Sequence, residues 1–104
     1  MTGFALHPEA VSDLEGIWDY IADRNPDAAD RVIEEFFAAF AGLAATPAIG
    51  HRRPDLTARP LRFVAVREYL VAYAPELRPL QVIAVIHGRR NPRVISAVMR
   101  GRGS

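Results

Sequence analysis

The run from Leu80 to Ile86 restricts the fold more than any other segment of the chain. It reads Leu-Gln-Val-Ile-Ala-Val-Ile, which is rich in β-branched residues. Such residues favour strands, and a run that is apolar on both faces is typical of a strand buried inside a sheet. We therefore predict that Leu80–His87 is a central strand.

Two shorter extended runs precede it and predict an antiparallel meander. Leu61–Val66 and Tyr69–Ala74 are strand-like, with Arg67-Glu68 as the turn between them and residues 75–79 as the turn that leads to the central strand. A fourth strand is predicted at Thr2–Leu6, because this short apolar run is bounded by His7-Pro8.

Two amphipathic helices are predicted between the first strand and the meander. Apolar residues recur at helical spacing from Pro8 to about Arg24, and again from Pro26 to about Ala45. Asn25-Pro26 separates them, since the residue before proline leaves the helical region and proline suits a first helical position. The predicted fold is a single α+β domain over residues 1–104: strand, helical hairpin, three-stranded antiparallel meander and a short C-terminal tail. We expect one helical turn in that tail, over Arg93–Met99.

The chain lacks residues that several classes of function require. The chain has no cysteine, so it has neither a disulfide framework nor a thiolate nucleophile. His7, His51 and His87 lie in separate segments, and none has a second His, Asp or Glu at the close spacing that metal sites usually show. No glycine-rich phosphate loop or nucleophile elbow is present. We expect no catalytic residues, no metal and no cofactor. No apolar run reaches the roughly 18 residues of a membrane span, so we expect a cytoplasmic protein without membrane contact.

Charge is divided between the two halves of the chain. Residues 1–46 contain nine acids and two arginines, a net −7, whereas residues 47–104 contain three acids and eleven arginines, a net +8. All thirteen basic residues are arginines, whose planar guanidinium binds carboxylate or phosphate bidentately. The acidic half is interpreted as the outer face of the hairpin, and the basic half as a binding surface for anionic partners.

The order of short segments resembles the ParE branch of the RelE/ParE toxin superfamily of bacterial type II toxin-antitoxin modules, over nearly the whole chain. The matching stretches begin with His7-Pro8-Glu9-Ala10, Asp13-Leu14, Tyr20-Ile21-Ala22 and Asn25-Pro26, and continue with Arg53-Pro54-Asp55-Leu56, Arg62-Phe63, Tyr69-Leu70-Val71-Ala72-Tyr73 and His87-Gly88-Arg89-Arg90. None of them is diagnostic alone, but their order and spacing together are specific.

The resemblance implies a toxin that inhibits DNA gyrase without being an enzyme and that forms a hetero-oligomer with a cognate, ParD-like antitoxin. The antitoxin is expected to carry an acidic amphipathic C-terminal segment, for which the residues expected to make contact are Phe36, Phe37, Phe40, Arg62 and Arg67. The residues expected to bind the target are His87, Arg89, Arg90 and Arg93. No direct, sequence-specific binding of nucleic acid is expected.

Two alternatives remain open at this point. RelE-like relatives are ribosome-dependent messenger RNA endoribonucleases that use basic and acid–base side chains. This chain has no lysine, has no tyrosine after Tyr73, and places Tyr69 where such nucleases tend to place an arginine. These departures disfavour cleavage, although Arg67, His87, Arg89 and Arg90 offer a different phosphate site. The other alternative is a non-toxic relative that only binds the antitoxin.

Overall fold

The computed structural model describes residues 3–102, and it has the predicted α+β architecture. The elements are β1 (Phe4–Leu6), α1 (Pro8–Ala22), α2 (Pro26–Ala45), a short 3-10 turn (Pro47–Ile49), β2 (Arg62–Val66), β3 (Tyr69–Ala74), β4 (Leu80–His87) and α3 (Pro92–Gly101). The first strand was predicted to begin at Thr2, which lies outside the described residues. No helix in this part of the chain is long and apolar enough to cross a membrane.

All three helices begin with the same local signal. Each has proline at its first position and a capping side chain just before it: His7, Asn25 and Asn91. Asn25 Oδ1 accepts a hydrogen bond from the Ala28 amide at 3.1 Å, and Asn91 Oδ1 accepts one from the Arg93 amide at 2.8 Å. Because these caps satisfy amides that lack a partner within the helix, the X-Pro dipeptides fix where each helix starts.

The sheet has the strand order β1-β4-β3-β2, so β4 lies between two neighbours as predicted. β1 pairs with β4 in parallel, with Phe4 opposite Leu80, whereas the other two pairings are antiparallel. The register shifts where Tyr73 faces Val82 and Ala72 faces Ala84, which leaves Ile83 as an extra residue. This β-bulge changes which residues of β4 share a face of the sheet.

Each face of the sheet has its own hydrophobic cluster. The hairpin α1–α2 covers one face, where Val82 and Val85 of β4 are buried. On the other face, Ile83 and Ala84 pack with Ile95 and Met99 of α3. The C-terminal segment is therefore more than the predicted single helical turn. Ile95 and Met99 lie one helical turn apart and form an apolar stripe that the sheet buries. Burial of each side chain stabilises the fold by about 1.5–3 kcal/mol.

A charged pair completes the edge of β4 where β1 ends. β1 ends at Leu6, and the hydrogen bond from the His7 amide to the Val82 carbonyl is the last one that this segment makes with β4. Beyond it, Asp13 Oδ2 accepts from the Val85 amide at 2.9 Å, and Arg102 Nη1 donates to the Ile83 carbonyl at 3.2 Å. Asp13 and Arg102 also bond to each other at 2.5 and 2.9 Å, and only 16% and 12% of their side chains are exposed. The pair takes the place of further β1 residues and joins α1, β4 and the end of α3.

The Tyr73 hydroxyl holds the loop that follows α2. It accepts a hydrogen bond from the Gly50 amide at 2.8 Å and donates one to the Pro47 carbonyl at 2.7 Å. A Cβ atom on residue 50 would lie 2.6 Å from this hydroxyl and 2.7 Å from the Phe63 carbonyl oxygen. Only glycine therefore allows the loop to approach the sheet this closely.

We predict that Arg102→Met lowers the free energy of unfolding by about 2–4 kcal/mol, because it leaves the mostly buried Asp13 carboxylate without its counter-charge. The double variant Asp13→Asn/Arg102→Met should lose less than the sum of the two single variants, since one interaction is removed in each case. Urea unfolding of all four proteins measures this. Strictly additive losses would contradict a direct coupling.

We predict opposite effects of alanine at two glycines. Gly50→Ala should lower the free energy of unfolding by about 1–3 kcal/mol, because its Cβ would overlap the Tyr73 hydroxyl and the Phe63 carbonyl. Gly42→Ala, the matched control, lies inside α2 with nothing within 4 Å of the added atom. It should stabilise the protein by about 0.5–1 kcal/mol. Urea unfolding measures the change in the free energy of unfolding for both variants. An unchanged value for Gly50→Ala would disprove the close approach of residue 50 to Tyr73 and Phe63.

Candidate functional site

The fold divides the eleven arginines of residues 47–104 into two groups. Seven have side chains that bond to other groups of the protein: Arg53, Arg59, Arg62, Arg67, Arg78, Arg100 and Arg102. The other four are Arg52, Arg89, Arg90 and Arg93, whose side chains make no hydrogen bond or ion pair within the described residues 3–102. All four are exposed. Most of the arginines in residues 47–104 therefore have a bonding partner within the protein, and four have none in the described residues.

Several of the engaged arginines satisfy backbone carbonyl groups. Arg59 Nη1 donates to the carbonyls of Met99 and Arg102 at 3.2 and 2.7 Å, which caps the C-terminus of α3. Arg62 Nη1 donates to the Gly50 carbonyl at 2.6 Å. Arg62 was predicted to contact the antitoxin, and this bond uses only one of the five N–H donors of its guanidinium.

Arg67, also predicted to contact the antitoxin, joins the meander to α2. It occupies the β2–β3 turn with φ of 55° and bonds bidentately to Glu35 at 2.9 and 2.6 Å. The hydrogen bond from Arg67 holds the pKa of the Glu35 carboxyl below its ordinary value. Since the folded-state pKa is lowered, the pair contributes to stability above the ordinary carboxyl pKa, and acidification through the lowered value removes that contribution. Both side chains remain about half exposed.

The residues predicted to bind the target come together at the β4–α3 turn. His87 ends β4, Arg89 and Arg90 follow it, and Arg93 lies in the first turn of α3. His87 Nδ1 accepts from the Arg89 amide at 3.2 Å, and the His87 ring packs edge-on against Tyr69 with centroids 5.4 Å apart. We name Arg89, Arg90 and Arg93 the turn arginines.

A cleft of about 480 Å³ opens beside Arg90, between α1, the end of β4 and α3. Its walls include Tyr20, Glu68, Tyr69, His87 and Arg90. Burial and, to a smaller extent, the negative charge of Glu68 raise the pKa of the Tyr69 hydroxyl, so this group is protonated at neutral pH. His87 Nε2 lies 4.0 Å from Glu68 Oε2, too far for a hydrogen bond. Across residues 3–102 no three His, Asp or Glu side chains are placed to hold a metal ion.

An apolar groove lies along the helical hairpin, where it is lined by residues of α1 other than those that line the cleft. We name it the hairpin groove, and its volume is about 220 Å³. It is lined by Leu6, Val11, Leu14, Glu15, Trp18, Ile33 and Phe37.

The structure corrects part of the predicted antitoxin-binding set. Phe36 and Phe40 have no exposed surface, because Phe36 packs on Tyr69 and Phe40 on Phe4, with centroids 5.6 Å apart in both pairs. Neither side chain is able to contact a docked partner in this conformation. Phe37 is 43% exposed, so its ring is accessible to a partner. Val11 and Trp18 of α1 were not among the predicted site residues, and both line the hairpin groove with exposed surface.

Comparison with known proteins points to one family. The family model described as the ParE toxin of the type II toxin-antitoxin system, parDE, matches residues 4–92. Two relatives named Toxin ParE2, from Mycobacterium tuberculosis strains CDC 1551 / Oshkosh and ATCC 25618 / H37Rv, are each 32% identical over 103 residues. That alignment covers 93% of this chain and 91% of each relative. The family match and the near full-length similarity agree with the fold described above, and the chain therefore belongs to the ParE toxin family of type II toxin-antitoxin systems.

Proposed function

We propose that this protein inhibits growth by acting on DNA gyrase in the cytoplasm, and that a cognate antitoxin neutralises it by binding a different surface. The observation that carries the proposal is the group of three turn arginines. Arg89 and Arg90 lie in the β4–α3 turn and Arg93 in the first turn of α3; all three are exposed, and their guanidinium groups have no partner within residues 3–102. Membership of the ParE toxin family supports the choice of gyrase.

The chemistry of the turn arginines suits contact with an anionic target. A guanidinium group forms charge-assisted, bidentate hydrogen bonds with carboxylates and phosphates, and both are present in a complex of gyrase with DNA. Binding of this kind requires no nucleophile and no general base. The proposed inhibitor is therefore not an enzyme, and its potency should follow its affinity for the target.

The antitoxin is proposed to contact two surfaces, the hairpin groove with Phe37 and the β2–β3 turn with Arg67. Phe37 offers an exposed aromatic ring in the hairpin groove, and Arg67 retains exposed guanidinium surface in spite of its pair with Glu35. Arg62 supplies the donors that its bond to Gly50 leaves free. The turn arginines do not line the groove, so the proposed complex has separate surfaces for antitoxin and target.

Purified gyrase tests the proposed target directly. The protein should inhibit supercoiling and trap cleaved DNA, and the antitoxin should reverse both effects. An unchanged supercoiling rate would contradict the gyrase proposal. Primer extension on translated messages then separates the two alternatives, because new cuts indicate the RelE-like endoribonuclease, whereas intact messages with normal growth indicate a non-toxic relative.

We predict that Arg89→Glu/Arg90→Glu raises the concentration needed for half-inhibition of gyrase by at least about tenfold, because two attractive contacts become repulsive. Binding of the antitoxin should be unchanged. The control variant Arg24→Glu/Arg52→Glu changes the net charge equally at two exposed arginines elsewhere. It should inhibit like the wild type. Equal losses in both variants would indicate a general charge effect and contradict a defined target surface.

We predict that Phe37→Ala weakens the antitoxin complex at least tenfold, or about 1.4 kcal/mol, as expected for an aromatic anchor in an apolar groove. Leu77→Ala removes an exposed apolar side chain from the β3–β4 turn and serves as the control. Isothermal titration calorimetry measures both dissociation constants. Wild-type affinity in Phe37→Ala would place the antitoxin elsewhere.

A further inference from the structure

The hairpin groove exposes large apolar side chains that the rest of the protein does not cover. Val11, Trp18 and Phe37 have exposed fractions of 39%, 37% and 43%. Trp18 is held in place, because its indole N–H donates a hydrogen bond to Asp30 Oδ1 at 2.9 Å. Because burial of apolar surface favours binding, the hairpin groove is a preformed apolar docking site for a partner.

The charge around the hairpin groove is acidic. Glu15 is among the residues that line the groove, and Asp30 adjoins it through the bond to Trp18. Glu34 follows Ile33 and lies one helical turn before Phe37, which places its exposed carboxylate toward the same side of α2. No arginine lines the groove in the described part of the chain.

Arg31 is the arginine of α2, and it lies three residues before Glu34 and four before Glu35, so it neighbours both carboxylates on the helix surface. Glu35 bonds to Arg67 of the β2–β3 turn, whereas Glu34 forms no ion pair with Arg31 within residues 3–102. The Glu34 carboxylate is therefore not held by a salt bridge within these residues and is available to a partner.

We propose that the antitoxin segment seated in the hairpin groove carries lysine or arginine residues beside large apolar side chains. An acidic segment at this position would meet like charge from Glu15 and Glu34, which disfavours binding. This inference rests on the proposed function, since it assumes that the antitoxin occupies the groove. The proposed segment in the groove is basic and apolar, in contrast to the acidic segment that the family resemblance implies. Any acidic stretch of the antitoxin would then bind at Arg67.

The test reverses the charge of the groove in the full chain. Glu15→Arg/Glu34→Arg and Glu15→Gln/Glu34→Gln are each copurified with the full-length antitoxin of the module, and dissociation constants are measured at low salt. We expect the reversal to weaken binding at least about tenfold and the neutral variant to weaken it less. Glu76→Arg, in the exposed β3–β4 turn, is the control for added positive charge and should bind within about twofold of the wild type. Thermal melting verifies that each variant is folded.

The possible failures are distinguishable. If the wild-type chain forms no complex with the antitoxin, the antitoxin part of the proposed function fails and this inference falls with it. If the wild type binds and the reversal variant binds equally well or more tightly, the proposed function stands and the basic segment is disproved. Equal weakening by Glu76→Arg would also disprove it, because the effect would then not be specific to the groove.

Discussion

The pair between Asp13 and Arg102 connects the parts of this fold. β1 is only three residues long, so the edge of β4 beyond Val82 lacks a neighbouring strand. Asp13 from α1 and Arg102 from the end of α3 supply the missing acceptor and donor. One interaction thereby fixes the hairpin on one face of the sheet and α3 on the other. Removing one partner would leave a mostly buried charge without compensation, which is why the pair matters more than a surface ion pair.

The same logic explains how the basic half of the chain is used. Arg59 caps α3, Arg62 holds the loop after α2, and Arg102 completes β4, so these arginines act as structural donors. The turn arginines have no such role within the described residues. A charge count alone does not distinguish the two kinds, because both contribute equally to the net +8 of this half. The proposed target surface consists of arginines that form no bond within the described residues.

Local signals in the sequence predicted much of the fold. Pro8 and Pro26 marked the helix starts, and the bounds of α2, β3 and β4 agree with the predicted Pro26–Ala45, Tyr69–Ala74 and Leu80–His87. The length of α3 was underestimated. Ile95 and Met99 become a core stripe only when the second face of the sheet is available to bury them.

Side-chain roles that depend on distant contacts were less predictable. Phe36, Phe37 and Phe40 all belong to the wide apolar surface of α2, and only the folded structure shows that Phe36 and Phe40 are buried while Phe37 is exposed. Asp13 and Arg102 are 89 residues apart, and no local pattern connects them. The grouping of Arg89, Arg90 and Arg93 was visible, by contrast, because they are close in sequence.

Arginine footprinting with phenylglyoxal, read by mass spectrometry, tests most directly the claim that the fold separates structural from available arginines. In the folded, unbound protein, Arg52, Arg89, Arg90 and Arg93 should react fast, whereas Arg59, Arg62 and Arg102 should react slowly until the protein is unfolded. A complex with gyrase and DNA should protect the turn arginines, and the antitoxin complex should leave them reactive. Equal reactivity of all arginines in the folded protein would contradict the account.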